Sequence, residues 1–153
     1  DLVRSRGLGD VYKRQYMNND QARNAMLDYD AYYKAVNGQV NDLFYYYREQ
    51  AALKARQYQR ALDDIVKAVE LSPKDLTYRA EHAVVNLRVG RYEESMKILN
   101  EILKDEPKYG EAYRLLGLCQ IQLKKTDEAC GNFNKAKELG DPNVDELIKK
   151  YCK

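Results

Sequence analysis

Gly90-Arg91-Tyr92-Glu93-Glu94-Ser95, closed downstream by Pro107, decides how this chain is read, because the stretch has an echo on either side. Upstream, Gln57-Tyr58-Gln59-Arg60-Ala61 runs on to Pro73, with Tyr58 standing where Tyr92 stands and Ala61 where Ser95 stands. A shift of 34 residues makes these matches, and it also brings Ile65 onto Leu99 and Phe133, Ala68 onto Ile102 and Ala136, and Ser95 onto Ala129. Tyr45, Arg79 and Tyr113 share a further register position. A fixed period of this length marks stacked supersecondary units, each too small to bury its own apolar face and completed by its neighbours.

Within each unit, apolar and small residues recur at helical spacing in two runs: 42–55 with 58–71, 75–89 with 92–105, and 109–123 with 126–139. Each pair predicts a helical hairpin. Gly90, just before Arg91-Tyr92, suits a positive φ at a helix end, and Pro73 and Pro107 stop one hairpin before the next begins. In the third unit the proline comes one residue late, at Pro142.

These segments, together with Lys67-Ala68-Val69-Glu70-Leu71-Ser72-Pro73 and Ala112-Tyr113-Arg114-Leu115-Leu116-Gly117, resemble tetratricopeptide repeats over about residues 42–142. The resemblance implies an all-α fold, a right-handed α-solenoid of stacked antiparallel helix pairs: repeat 1 at 42–75, repeat 2 at 76–109, repeat 3 at 110–143, and a capping helix at 144–153. Asp141-Pro142-Asn143 can cap that last helix, which puts Leu147, Ile148 and Tyr151 on one side. Upstream, Lys34-Ala35-Val36 echoes Lys67-Ala68-Val69 at a spacing of 33, so 16–41 reads as a partial repeat, the second helix of an earlier unit. Residues 1–15 read as a non-native or disordered leader, since Ser5 to Gln15 resembles a translated linker. On that reading the chain is the C-terminal fragment of a longer repeat protein.

Two departures from the repeat stand out. Where the family has a small residue in the middle of the first helix, this chain has Gly117, Ala83 and then Glu49, which predicts a first unit that packs less tightly or exposes that edge. One residue earlier, Leu gives way to His82 in the second unit and Arg48 in the first.

With 153 residues, 33% of them charged and 44% hydrophobic, the chain suits one soluble, helix-rich domain. The net charge of +2 arises within residues 1–15, where Arg4, Arg6, Lys13 and Arg14 outnumber Asp1 and Asp10, and the remainder balances. A balanced chain lacks the basic face that neutralises phosphates, so no nucleic-acid partner is expected. No run of about 18 apolar residues exists to span a membrane.

Catalysis and metal binding find no support. A Ser-His-Asp triad would need His82, the single histidine, whose repeat position is one of buried Leu. Cys119, Cys130 and Cys152 lack the close pairing of a zinc site. Gly7-Leu8-Gly9 is too short for a phosphate loop and follows no strand. No enzyme activity and no cofactor are expected.

The expected function is that of a scaffold, binding a peptide or partner protein on the concave face that the first helices line in this family. The residues assigned to that groove are Tyr46, Gln50, Leu53 and Lys54, then Val84, Leu87 and Arg88, then Arg114, Leu118, Ile121 and Gln122. It is an apolar groove with Arg88 and Arg114 beside it, suited to an extended or helical peptide. Relatives that grip a chaperone's carboxylate tail use Lys and Asn where this chain has Tyr46 and Gln50, so that clamp is absent. Two alternatives stay open: a spacer or support array for an upstream domain, and a small-ligand or glycan groove built on Tyr46. Of the run Tyr45-Tyr46-Tyr47, consecutive on a helix, only one or two can share a groove. Tyr29, Tyr32 and Tyr33, deprived of an upstream helix, would offer an aromatic face for self-association.

Cysteine placement bears on compartment. Cys130 lies near the start of the third unit's second helix and Cys152 ends the capping helix, at nearly the same height if the two run antiparallel. They are a candidate disulfide, or else two reduced packing residues with Cys119 as a third. Repeat proteins of cell envelopes, by resemblance, often end in such a pair, which points to a periplasmic or envelope location over a cytoplasmic one.

Overall fold

The computed structural model describes residues 19–153, apart from the side chain of Asn19. Among them lie eight helices and no strand: α1 (Asn19–Ala35), α2 (Asp42–Lys54), α3 (Tyr58–Leu71), α4 (Leu76–Arg88), α5 (Tyr92–Asp105), α6 (Gly110–Gln122), α7 (Thr126–Glu138) and α8 (Asp145–Tyr151). The helices form two compact units, one ending at Lys74 and the other beginning at Asp75. The leader expected at 1–15 lies outside the described residues.

The three hairpins turn in the same way. Arg56, Gly90 and Lys124, each 34 residues from the next, take left-handed φ values of 59°, 80° and 61°. The amides that follow, of Gln57, Arg91 and Lys125, donate to the carbonyls of Ala52, Asn86 and Gln120 at 2.8, 2.9 and 2.9 Å. Those bonds satisfy carbonyls that the helix end would otherwise leave open. Gly90 adopts the turn without a Cβ; Arg56 and Lys124 do so against a penalty of about 1–2 kcal/mol for an L side chain. At the start of α2 and α4, the side chains of Asn41 and Asp75 accept from the amides of Phe44 (3.0 Å) and Tyr78 (3.1 Å), the usual way of satisfying a first-turn donor.

In the first unit α2 packs against both α1 and α3. Phe44 is the hub of its packing with α1: the rings of Tyr29, Tyr32 and Tyr33 lie 5.4, 5.8 and 6.1 Å away, and Tyr45 crosses it edge-on at 5.8 Å. The register of α1 is not the one expected from Lys34-Ala35-Val36. Ala35 is exposed while Ala68 is buried, whereas buried Ala25, Met26 and Tyr29 correspond to buried Ala61, Leu62 and Ile65, 36 positions later. The connection explains the difference: residues 36–41 separate α1 from α2, two more than the 72–75 and 106–109 that follow α3 and α5.

In the second unit the helices pack in sequence, α4 on α5, α5 on α6, α6 on α7 and α7 on α8. Ala80, Ala83, Leu99, Ile102, Ala112, Leu115, Leu116 and Cys119 form one apolar cluster, and Ala129, Phe133, Ala136 and Val144 a second. Gly117 lets α6 and α7 meet: a Cβ there would stand 2.4 Å from the Phe133 ring. Ser95, in the small-residue position shared with Ala61 and Ala129, donates its hydroxyl to the Ala83 carbonyl at 2.7 Å.

Candidate functional site

The first helix of each hairpin carries the residues assigned to binding, and each unit presents its own share. In the first unit, Tyr46, Gln50, Leu53 and Lys54 are half-buried on α2. Gln50 donates to the Glu49 carboxylate at 2.7 Å, and the Tyr46 and Tyr47 rings touch at 5.3 Å. The residue of this aromatic run that packs fully is Phe44, 1% exposed, and Tyr45 to Tyr47 are all half-buried. Tyr29 is 2% exposed and spent against Phe44, so it supplies none of the open aromatic face expected of it; on α1 the exposed large apolar side chain is Leu27, at 67%.

Glu49 does not expose an edge. It is 0% exposed, buried in the middle of α2. Beside it, Arg48 makes the contact that sequence reasoning missed. Its guanidinium donates from Nε and Nη2 to the two oxygens of Asp64 on α3, at 2.8 and 2.7 Å, and Nη1 stands 3.6 Å from Asp30 on α1. Arg60 reaches the same Asp30 oxygen. The Arg48 Cζ also lies 5.1 Å from the centres of the Tyr33 and Phe44 rings and 5.8 Å from Tyr45, within cation–π range. Burial pushes the Asp64 carboxyl up, and its bonds to Arg48 offset only part of that. The network therefore fixes α1, α2 and α3 to one another at a desolvation cost. Its sequence signal was a charge inside an apolar stripe, since Asp64 sits between buried Leu62 and Ile65.

In the second unit, Val84, Leu87 and Leu118 are partly buried against the first apolar cluster, and Leu118 and Ile121 against the second. Their outer edges stay open beside exposed Arg88 and Gln122. Arg114 departs from the expectation. Its Nε donates to both oxygens of Asp141, at 3.2 and 3.0 Å, and its Nη2 to Glu111 at 3.1 Å. With Asp141 3% exposed, Arg114 is a tie between α6 and the turn after α7, not a cation free for a ligand. Arg88 remains the exposed cation of that face.

The candidate reactive groups are engaged in packing and bonding. His82 is half-buried, its backbone carbonyl accepts from Asn86 Nδ2 at 2.9 Å, and burial lowers its imidazole pKa, with Glu94 opposing. Burial likewise pushes up the Cys119 thiol, whose sulfur lies 3.4 Å from the Ser95 hydroxyl. No group of His, Cys, Asp and Glu fit to hold a metal occurs among the described residues, and no described helix is long and apolar enough to cross a membrane. Cys130 and Cys152 are joined in a disulfide with Cα atoms 5.6 Å apart.

Residues 18–102 match the family model described as anaphase-promoting complex, cyclosome, subunit 3, and residues 81–144 the one described as tetratricopeptide repeat. Among curated proteins, the chain is 29% identical over 99 residues to small glutamine-rich tetratricopeptide repeat-containing protein 2 of Mycosarcoma maydis, covering 65% of this chain and 28% of that one. It is 31% identical over 101 residues to heat shock protein STI1 of Saccharomyces cerevisiae, covering 63% and 17%. The chain thus spans under a third of these relatives. Among solved structures, YrrB, described as a TPR protein with an unusual peptide-binding site, superposes with a TM-score of 0.74 at 19% identity, over 86% of this chain and 66% of that one. The first TPR of Spaghetti, bound to an HSP90 peptide, gives 0.64 at 21% identity, over 72% and 87%. The 34-residue recurrence of helix, left-handed turn and helix, the two family models that together match residues 18–144, and the fold shared with these structures agree: the chain belongs to the tetratricopeptide-repeat family.

Proposed function

We propose that the chain is a scaffold that binds a peptide segment of a partner protein on the first-helix faces, and that it works without chemistry of its own. The observation that carries this is the state of α4 and α6: Val84, Leu87 and Leu118 are only partly covered by their own cluster, next to exposed Arg88 and Gln122. Partly covered apolar edges with a few polar groups beside them suit an extended or helical peptide. Peptide binding in YrrB and in the Spaghetti repeat supports the same class of ligand. The carboxylate-tail clamp is not part of the proposal, because Tyr46 and Gln50 occupy its positions. Site-specific photo-crosslinking tests the face. With a photoreactive residue at position 88 or 122, the full chain should capture a partner protein in extract of its own cells, and with one at position 97, on the exposed side of α5, it should not. Adducts from position 97 alone, or from none of the three, overturn it.

We infer in addition an oxidising compartment such as the periplasm or cell envelope. The Cys130–Cys152 disulfide supports it, because such bonds persist where thiols are not kept reduced. Blocking free thiols at lysis of the native cells and weighing the unreduced protein tests the inference; three labelled cysteines would refute it.

A further inference from the structure

The last helix, α8, is seven residues long, about two turns, far short of what holds a helix together alone in water. It stays in place through its contacts. Val144 at its start is 0% exposed, and Leu147, Ile148 and Tyr151 lie on the cluster built around Phe133, with the Tyr151 and Phe133 rings 6.4 Å apart. The near end is anchored by polar bonds as well, since Arg114 holds Asp141 and the Asp141 carboxylate accepts from the Asn143 amide at 2.8 Å. The far end differs. The Lys137–Asp145 pair between α7 and α8 joins side chains 61% and 63% exposed and sits at the helix start, so water screens it and it does not hold the last turn. At that turn the covalent bond from Cys152 to Cys130 on α7 adds to the packing of Tyr151 on Phe133, and both cysteines are half-buried, not sealed from a small thiol.

We propose that the Cys130–Cys152 bond is a redox latch on α8, independent of the binding proposed above. A dithiol reductant opens it in two exchanges. One reductant thiolate attacks a cysteine sulfur, the S–S bond breaks, a mixed disulfide forms and the other cysteine leaves as a thiolate that takes up a proton. The second reductant thiol then displaces the mixed disulfide, so that two electrons and two protons have passed to Cys130 and Cys152 and the reductant departs as its own disulfide. Released at its far end and still anchored at Asp141 to Val144, α8 swings away from the cluster formed by Phe133, Ala129 and Ala136 of α7.

Amide hydrogen exchange on the full chain, oxidised and after dithiothreitol, reads the latch. The amides of Ile148 and Cys152, which donate to Val144 and Ile148, should exchange at least about tenfold faster once the bond is reduced, while those of α4 and α5 keep their rates. Cys152→Ser should show the fast exchange without reductant and no further response to it, and Cys130→Ser should do the same, a check should either variant fold poorly. Rates in α8 within about twofold of the oxidised protein overturn the proposal. So does equal acceleration in every helix, which would make the bond a brace for the whole fold and not a latch.

Discussion

The two units answer one structural question in opposite ways. At the position just before the mid-helix small residue of each first helix, the first unit places Arg48 and the second places His82 and then Leu116; on the facing second helix stand Asp64, Ile98 and Asn132. In the first unit the pair is ionic, with Arg48 half-buried at 13% exposed and Asp64 buried at 5%, and the neighbouring small-residue position holds buried Glu49. In the second unit Leu116 is 5% exposed in an apolar cluster and the small-residue position is Gly117, against which Phe133 lies. The backbone plan is the same, down to the left-handed residue at each turn. The interior of a repeat thus varies on a constant turn, and the ionic interior carries a desolvation cost that the apolar one does not.

The largest expected effect tests the ionic interior directly. Arg48→Leu, the third repeat's residue, leaves Asp64 buried without its bidentate partner and should cost about 3–5 kcal/mol at pH 7 in urea unfolding of the full chain. Part of that loss should return as pH falls, because the carboxyl that burial already pushes up becomes protonated and no longer carries a buried charge. Adding Asp64→Ile, the second repeat's residue, should restore the loss to within about 1 kcal/mol or exceed the starting stability. A double variant as unstable as Arg48→Leu alone would mean that the first unit cannot accept its neighbours' interior.

Next in size, Gly117→Ala should destabilise the second unit by about 1–3 kcal/mol, although alanine is the better helix former, since the new methyl collides with a fully buried ring. The midpoint of chemical unfolding measures it. Smaller still are the turns: Lys124→Gly and Arg56→Gly should each stabilise by up to about 1 kcal/mol by relieving a left-handed L residue, and Gly90→Ala should cost about as much. Gains that differ between Arg56 and Lys124 would show that the common backbone is only apparent.

What could be read from residues alone follows this division. The helix limits came within two residues of the structure because period, glycine and proline act locally, and Gly90 does take the positive φ expected of it. The charge in the apolar stripe at Asp64 was legible, but its partners were not. Whether Arg48 is a surface charge or a buried one depends on Asp64, sixteen residues on, and Asp30 on a helix before it, and no local pattern pairs them. For the same reason Glu49 reads from sequence as loosening the first unit or exposing its edge, and Arg114 as a groove cation, when Glu49 is buried and Asp141 holds Arg114. The register of α1 was misread because Lys34-Ala35-Val36 lies at a helix end, where similarity is cheap and burial is absent, and because two extra residues in the connection were invisible to a count that assumed a constant period.

His82 stands between the two solutions and gives the smallest effect, one that appears only on changing pH. Burial holds its imidazole pKa below the ordinary 6.5, with the Glu94 carboxylate pulling the other way. A base whose folded pKa lies below its unfolded one binds a proton more readily when unfolded, so its contribution is complete above the unfolded value and is lost as pH falls through 6.5 towards the folded value. Other carboxylates also titrate in acid, so the quantity to measure is a difference: the unfolding free energy of the native chain minus that of His82→Leu, at pH 8 and at pH 5. The difference should shift in favour of the leucine variant at pH 5, and by less than Gly117→Ala costs. Leucine is what the third repeat has at this position, buried in the same unit, so the variant need not create new packing chemistry. A difference unchanged between the two pH values would mean that His82 keeps its solvent, and that in the second unit the position resembles neither the apolar interior of Leu116 nor the desolvated charge of Arg48.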